Sequence, residues 1–125
     1  MKRYPVTITT AADGSATGYT PRISGEVHQI EYVPDGTNPY ANTVDFTITG
    51  EETGINIWTE SNIAAAAVRA PRQPTHSQVG AALLYAAGGT PQSARIGLFR
   101  DRVKIVLAQG GNAKTGKFHI LVEEK

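Results

Sequence analysis

The sequence predicts an all-β domain: an antiparallel β-sandwich, jelly-roll-like, or a barrel, of about seven to nine short strands. One long Ala/Pro-rich arm interrupts it. Three observations lead there. Apolar residues recur at every second position in most of the chain, the spacing that puts one strand face on a core. Gly-containing turns separate these runs at short intervals. Threonines and β-branched residues fill the alternating segments, as pleated, half-buried surfaces favour.

The elements follow in order. Val6 and Ile8 alternate with threonines, and Asp13-Gly14 turns the chain into Ser15–Thr20. Ile30 and Tyr32 alternate with Gln29, Glu31 and Val33, before Pro34-Asp35-Gly36 opens a polar loop. Phe46 and Ile48 sit between Asp45, Thr47 and Thr49. The segment from Gly50 to Gly54, with Glu51 and Glu52, suits an exposed hairpin loop leading to Ile55 and Ile57. Val103, Ile105 and Leu107 form a run that Gly110-Gly111-Asn112 closes. Phe118, Ile120 and Val122 form the last.

Residues 61–90 differ. Alanines crowd this segment, and Pro71 and Pro74 forbid a continuous helix through it. Ser61/Asn62 before Ile63–Val68 suits either a short capped helix or an extended arm. Val79–Tyr85 reads as a buried strand or a helical turn. A long insertion in a small β domain is usually functional, and an interaction arm is the expectation here.

Length and charge set bounds. The chain has 125 residues, which suits one domain over 1–125 with one core. Twelve Lys and Arg against eleven Asp and Glu leave a net charge of +1. That balance argues against a dedicated nucleic-acid clamp and a polybasic membrane anchor. Cysteine is absent, so a disulfide framework, a thiolate nucleophile and a Cys-based zinc site are excluded. Tyr4–Thr10 alternates rather than running apolar, unlike a signal peptide, and a soluble protein is expected.

Chemical motifs are few. Gly111–Lys117 nearly spells a phosphate loop, but Phe118 replaces the magnesium-binding hydroxyl and the following residues alternate like a strand. A hairpin loop with solvated lysines is the better reading. His28 and His119 fall on the polar phase of strands; with Glu26 they make a thin case for zinc, since no ligand spacing supports it. No nucleophile elbow or Ser–His–Asp grouping occurs. No catalytic residue, metal ligand or cofactor is therefore assigned.

Trp58, the only tryptophan, is out of phase with Ile55 and Ile57. It either lies under the arm or anchors an interface. Arg69, Arg72, Arg95, Arg100 and Arg102 crowd the second half. Arginine is favoured at protein interfaces for its planar fork. Trp58, Arg69, Arg72, Arg95 and Arg100 are thus the candidate interface residues.

The order of motifs carries a resemblance. Thr7–Thr17 with Asp13-Gly14 leads to Ser24–Tyr32, then Val44–Gly54 and Ile57-Trp58-Thr59, and ends with Asp101–Val106 and Gly110–Gly116. This pattern resembles small all-β virion proteins of tailed bacteriophages, encoded among the head genes. The resemblance implies a structural, non-enzymatic role in the virion, in a protein made in the host cytoplasm. Its partners would be copies of itself and the major capsid protein or portal and neck proteins, with no specific nucleic acid and no membrane. Head–tail connector or closure, and capsid decoration or cement, are equally open. A small ligand- or carbohydrate-binding β-sandwich module is the alternative, and it would need a planar aromatic patch.

Overall fold

A computed structural model describes residues 1–124. The described chain forms ten strands: β1 (Lys2–Thr9), β2 (Ala16–Tyr19), β3 (Ile23–Pro34), β4 (Asp45–Gly50), β5 (Asn56–Ser61), β6 (Ala67–Arg69), β7 (Arg72–Pro74), β8 (Ser93–Asp101), β9 (Val103–Ala108) and β10 (Thr115–Glu124). All pairings between them are antiparallel. One sheet runs β1-β10-β3-β8-β7, with β6 also on β3; the other runs β2-β9-β4-β5. The all-β expectation holds. The strand number exceeds it because β6 and β7 have three residues each, too few for alternation to register.

The inner faces are those the alternation marks. Ile30, Tyr32, Phe118, Ile120, Val122, Ile96 and Leu98 come from the first sheet; Phe46, Ile48, Ile105 and Leu107 come from the second. Aromatic rings join the sheets. Phe46 meets Tyr32, Phe118 and Trp58 edge-on, at centroid separations of 4.9, 5.0 and 5.4 Å. Such pairs add to area burial. Tyr40, from the loop after β3, stacks on Tyr32 and donates its hydroxyl to the Ile8 carbonyl at 2.6 Å. Glycine is required beneath it: a Cβ on Gly116 would lie 2.6 Å from Tyr40 Cε2.

The chain changes sheets at a tight corner between β8 and β9, where only Arg102 intervenes. Asp101 organises that corner. It is buried, and its Oδ1 accepts the backbone amides of Arg102 at 2.7 Å and Glu52 at 2.9 Å. Arg102 in turn lies 4.1 Å over the Tyr19 ring and pairs with Glu51. Glu51 is therefore tied to the sheet rather than free at a hairpin tip, and this contact holds its carboxyl below the usual range.

Between β3 and β6–β8 the first sheet forks. β8 pairs with Ile23–Val27 of β3, whereas β6 takes Ile30–Tyr32. β7 then pairs with Ser93–Arg95 of β8, and this β7–β8 ladder leads into the arm. Residues 61–90 are thus extended where the short capped helix was one expectation, and β6 and β7 belong to the sheet. The part that stands apart is narrower, residues 75–92.

Candidate interaction surface

Trp58 does not point outward. A β-bulge between Ile48/Thr49 and their partners leaves Ile57 as the extra residue of β5. The bulge shifts the phase, so Ile57 and Trp58 both face the core and Trp58 is 5% exposed. Its Nε1 donates to Glu60 Oε1 at 2.9 Å. Arg69 covers it, with the guanidinium 5.4 Å from the ring centroid. Arg69 Nε and Nη2 both donate to the Glu60 carboxylate at 2.9 Å. Glu60 belongs to β5 in one sheet and Arg69 to β6 in the other, so this trio latches the sandwich along one edge. The Arg69 contact, then the Trp58 one, hold the Glu60 carboxyl below its ordinary range. Trp58 as an exposed anchor is corrected by this geometry, and Arg69 is engaged within its own chain.

Residues 75–92 build the exposed feature. Beyond β7 and β8 the ladder continues from Thr75 N to the Gln92 carbonyl at 2.9 Å, then divides into two small hairpins. Leu83 sits at the division, donating to Thr75 O at 3.1 Å and accepting from Gln92 N at 2.8 Å. The first hairpin turns at Ser77–Gly80 and carries the His76–Ala82 bridge; the second turns at Ala86–Gly89 and carries the Leu84–Pro91 bridge. Gly80 and Gly88 take positive φ of 81° and 70°, which the tight turns need. Val79–Tyr85 is therefore neither a buried strand nor a helical turn. Val79 is 90% exposed and Tyr85 74% exposed, and Leu83 is exposed as well. The whole stretch 73–94 contains no Asp, Glu, Lys or Arg.

The charges stop where the arm begins. Arg72 and Arg95 stand directly opposite each other across β7 and β8. Like charges in that position repel. Arg72 Nη1 donates to the His28 carbonyl at 3.1 Å and to Pro71 O at 2.8 Å. Among the described residues neither arginine makes an ion pair with a carboxylate.

Further along β8 lies a second apolar feature. Between Ile23 and Gly25 of β3, β8 advances from Asp101 to Leu98, one residue more than β3. Phe99 and Arg100 share that bulge, Arg100 with φ of 50°, and both leave the core. Phe99 is 88% exposed. It borders a groove of about 440 Å³ lined by Ser24, Gly25, Glu26, Gly97, Leu98 and Phe99. Gly25 is obligatory in its wall, since a Cβ there would lie 2.2 Å from the Glu123 carbonyl oxygen. Gly97 differs: nothing lies within 4 Å of a Cβ at that position.

Of the five sequence candidates, Arg72, Arg95 and Arg100 thus flank one stretch of β8, while Trp58 and Arg69 form the latch. Phe99 and the exposed arm residues escaped the sequence reading. Phe99 carried one signal: it is out of phase with Ile96 and Leu98. The remaining chemistry is sparse. His119 is registered against Glu31, and His28 falls in a β3 bulge, so the two histidines do not stand opposite each other. No group of three metal-ligating side chains occurs among the described residues. The Gly111–Lys117 segment runs from a turn into β10, with no helix to present amides to a phosphate. A smaller depression of about 240 Å³ beside Val33, Asp35 and Lys117 gathers no catalytic set. Asp35 there accepts the backbone amides of Thr37 and Asn38, which hold its carboxyl below the ordinary range. No family model, curated protein or solved structure matches the chain.

Proposed function

We propose that this chain is a non-enzymatic structural protein of a tailed-phage virion, assembling on the head or the neck. The observation that carries the assembly reading is the arm at 75–92, a hydrogen-bonded β projection with exposed Val79, Leu83 and Tyr85 and no charged side chain. Large apolar side chains exposed together on one projection support an interaction site. Its root adds Arg72 and Arg95, which await carboxylates from outside the chain. Burial of Trp58 weakens the alternative of a carbohydrate-binding module, whose platform would use that ring first.

The virion setting rests on the resemblance of the turn and strand motifs. Partners are copies of the chain and the major capsid protein or portal and neck proteins. Connector or closure at the neck and decoration or cement on the shell both use a β module with a projecting arm, and symmetry multiplies its contacts. Quantitative mass spectrometry of purified particles against the major capsid protein tests the proposal. A ring's worth of copies supports the neck, and copies comparable to the shell subunits support decoration. Absence from purified particles overturns the virion setting.

A further inference from the structure

We infer that the surface the arm meets is acidic: a pocket of a partner protein, apolar inside where it takes Leu83 and Tyr85, with carboxylates at its mouth for Arg72 and Arg95. This deepens the assembly reading above and rests on the arm as the interaction surface. The distribution of arginine partners carries it. The chain has seven arginines. Four have a carboxylate of their own: Arg3 with Glu31 at 3.4 Å, Arg22 with Glu52 at 3.8 Å, Arg69 with Glu60 at 2.9 Å, and Arg102 with Glu51. Among the described residues the three without one are Arg72, Arg95 and Arg100, and all three lie on β7 and β8. Arg72 and Arg95 are direct cross-strand partners at the root of the arm, and Arg95 is half-buried. Directly opposed residues share a sheet face with Cβ atoms about 5 Å apart, so two positive charges are held side by side there. Glu26, on the neighbouring strand opposite Gly97, has an interaction of its own.

The layout fits insertion. From Gln73 to Ala94 there is no Asp, Glu, Lys or Arg, and Val79, Leu83 and Tyr85 are exposed. Interfaces keep charge out of their centre and place it at the rim. An arm seated in a pocket puts its uncharged hairpins at the centre and Arg72 and Arg95 at the mouth. Carboxylates there offset the repulsion between the two guanidinium groups, fix the arm's orientation through forked hydrogen bonds and speed encounter. The arm's eighteen residues, 75–92, are fewer than the roughly 20–30 a side of a standard interface. One contact is therefore weak, and many copies acting together make it hold. Nucleic acid fits less well, since it would meet two arginines and then an uncharged projection. A lipid surface also fits less well, because inserting the first hairpin would bury Thr75, His76, Ser77 and Gln78.

Two synthetic peptides test the chemistry on the purified, isotope-labelled full-length chain. Both carry the same leucines and tyrosines; one has glutamates between them and the other has lysines at the same places. Amide chemical shifts are followed through each titration. The glutamate peptide is expected to shift the amides of residues 72–95 and to bind about tenfold more tightly than the lysine peptide, the order that two exposed ion pairs supply. Arg72→Gln with Arg95→Gln is expected to remove that preference, and Arg72→Lys with Arg95→Lys to keep most of it. Leu83→Ser with Tyr85→Ser is expected to weaken both peptides. Circular dichroism and thermal unfolding check that each variant is folded; the Gln pair loses a like-charge repulsion and keeps the fold. Equal binding of the two peptides overturns the inference, as does the absence of any shift in residues 72–95. So does tighter binding to phosphatidylglycerol vesicles or to single-stranded DNA than to the glutamate peptide. Particle incorporation is read separately, for the wild-type chain and for Arg72→Glu with Arg95→Glu. Exclusion of the reversed chain alone supports the inference, and equal incorporation overturns it. A wild-type chain absent from particles overturns the virion setting, and the peptides then decide the acidic partner by themselves.

Discussion

At the scale of single residues, the Trp58–Glu60–Arg69 trio and the Tyr32–Tyr40 pair make opposite pH predictions. Hydrogen bonding to Arg69 and Trp58 lowers the Glu60 carboxyl in the folded chain. Its contribution is therefore complete above the ordinary carboxylate range and is lost as pH falls through the lowered folded value. Glu60→Gln is expected to cost about 1 kcal/mol at neutral pH, a modest figure because the pair is partly exposed. Urea unfolding at pH 7 and pH 3 checks this: the difference between variant and wild type should shrink at the lower pH. Tyr32 works at the other end. Burial pushes its hydroxyl from 10.0 up to about 12. The unfolded chain loses that proton first, so stability is intact below pH 10 and declines as pH rises toward the folded value. The Tyr32 hydroxyl is buried with no hydrogen-bond partner among the described residues. Tyr32→Phe is thus expected to be neutral or to stabilise by up to about 1 kcal/mol, and to flatten the alkaline decline in a pH series of thermal unfolding. A loss of several kcal/mol would mean that the hydroxyl holds an internal water. Trp58 lying under the 61–90 segment was one of the two sequence readings, and Arg69 of that segment covers it. The link to Glu60 and the Tyr32–Tyr40 pair were not legible. Glu60 and Arg69 lie on different sheets, and no spacing shows which strands will face each other.

At the scale of elements, the strands and the arm separate into body and attachment. Pro74 and Ser93 are cross-strand partners, so a two-residue Asn-Gly turn joining them closes the β7–β8 hairpin without the arm. Replacing Thr75–Gln92 in this way is expected to change stability by less than about 1 kcal/mol, since the segment contributes little to the core. Thermal unfolding measures it; a loss of cooperativity would show that the arm helps hold the body. The body was the legible part. Ile30/Tyr32, Phe46/Ile48, Ile105/Leu107 and Phe118/Ile120 alternate strictly, and each pair is buried as that pattern implies. Bulges are where the pattern misled. One at Ile57 turned Trp58 inward, and one at Phe99 and Arg100 turned two residues out together. A bulge adds one residue to one strand only, and its place is set by the partner strand, which local sequence does not contain. The arm was visible as an anomaly of composition, but its double hairpin depends on Leu83 bonding to both Thr75 and Gln92.

At the scale of the whole molecule, a closed core and an open attachment coexist on one strand. The sandwich is held at one edge by the Glu60–Arg69 latch and at the other by the close approach of β1 and β2, where a Cβ added to Gly18 would lie 2.7 Å from Ile8 Cδ1. Gly18→Val is expected to force these sheets apart and cost about 1–3 kcal/mol, read by chemical denaturation. Against that enclosed body, the uncharged arm exposes Val79, Leu83 and Tyr85, and its role in assembly is the proposal to test. The most direct measurement is a competition: wild-type and arm-replaced chains supplied together during phage assembly, with their ratio in purified particles read by mass spectrometry. The account predicts that particles contain the wild-type chain and exclude the arm-replaced one, although both are folded in solution. Equal incorporation of the two would contradict it.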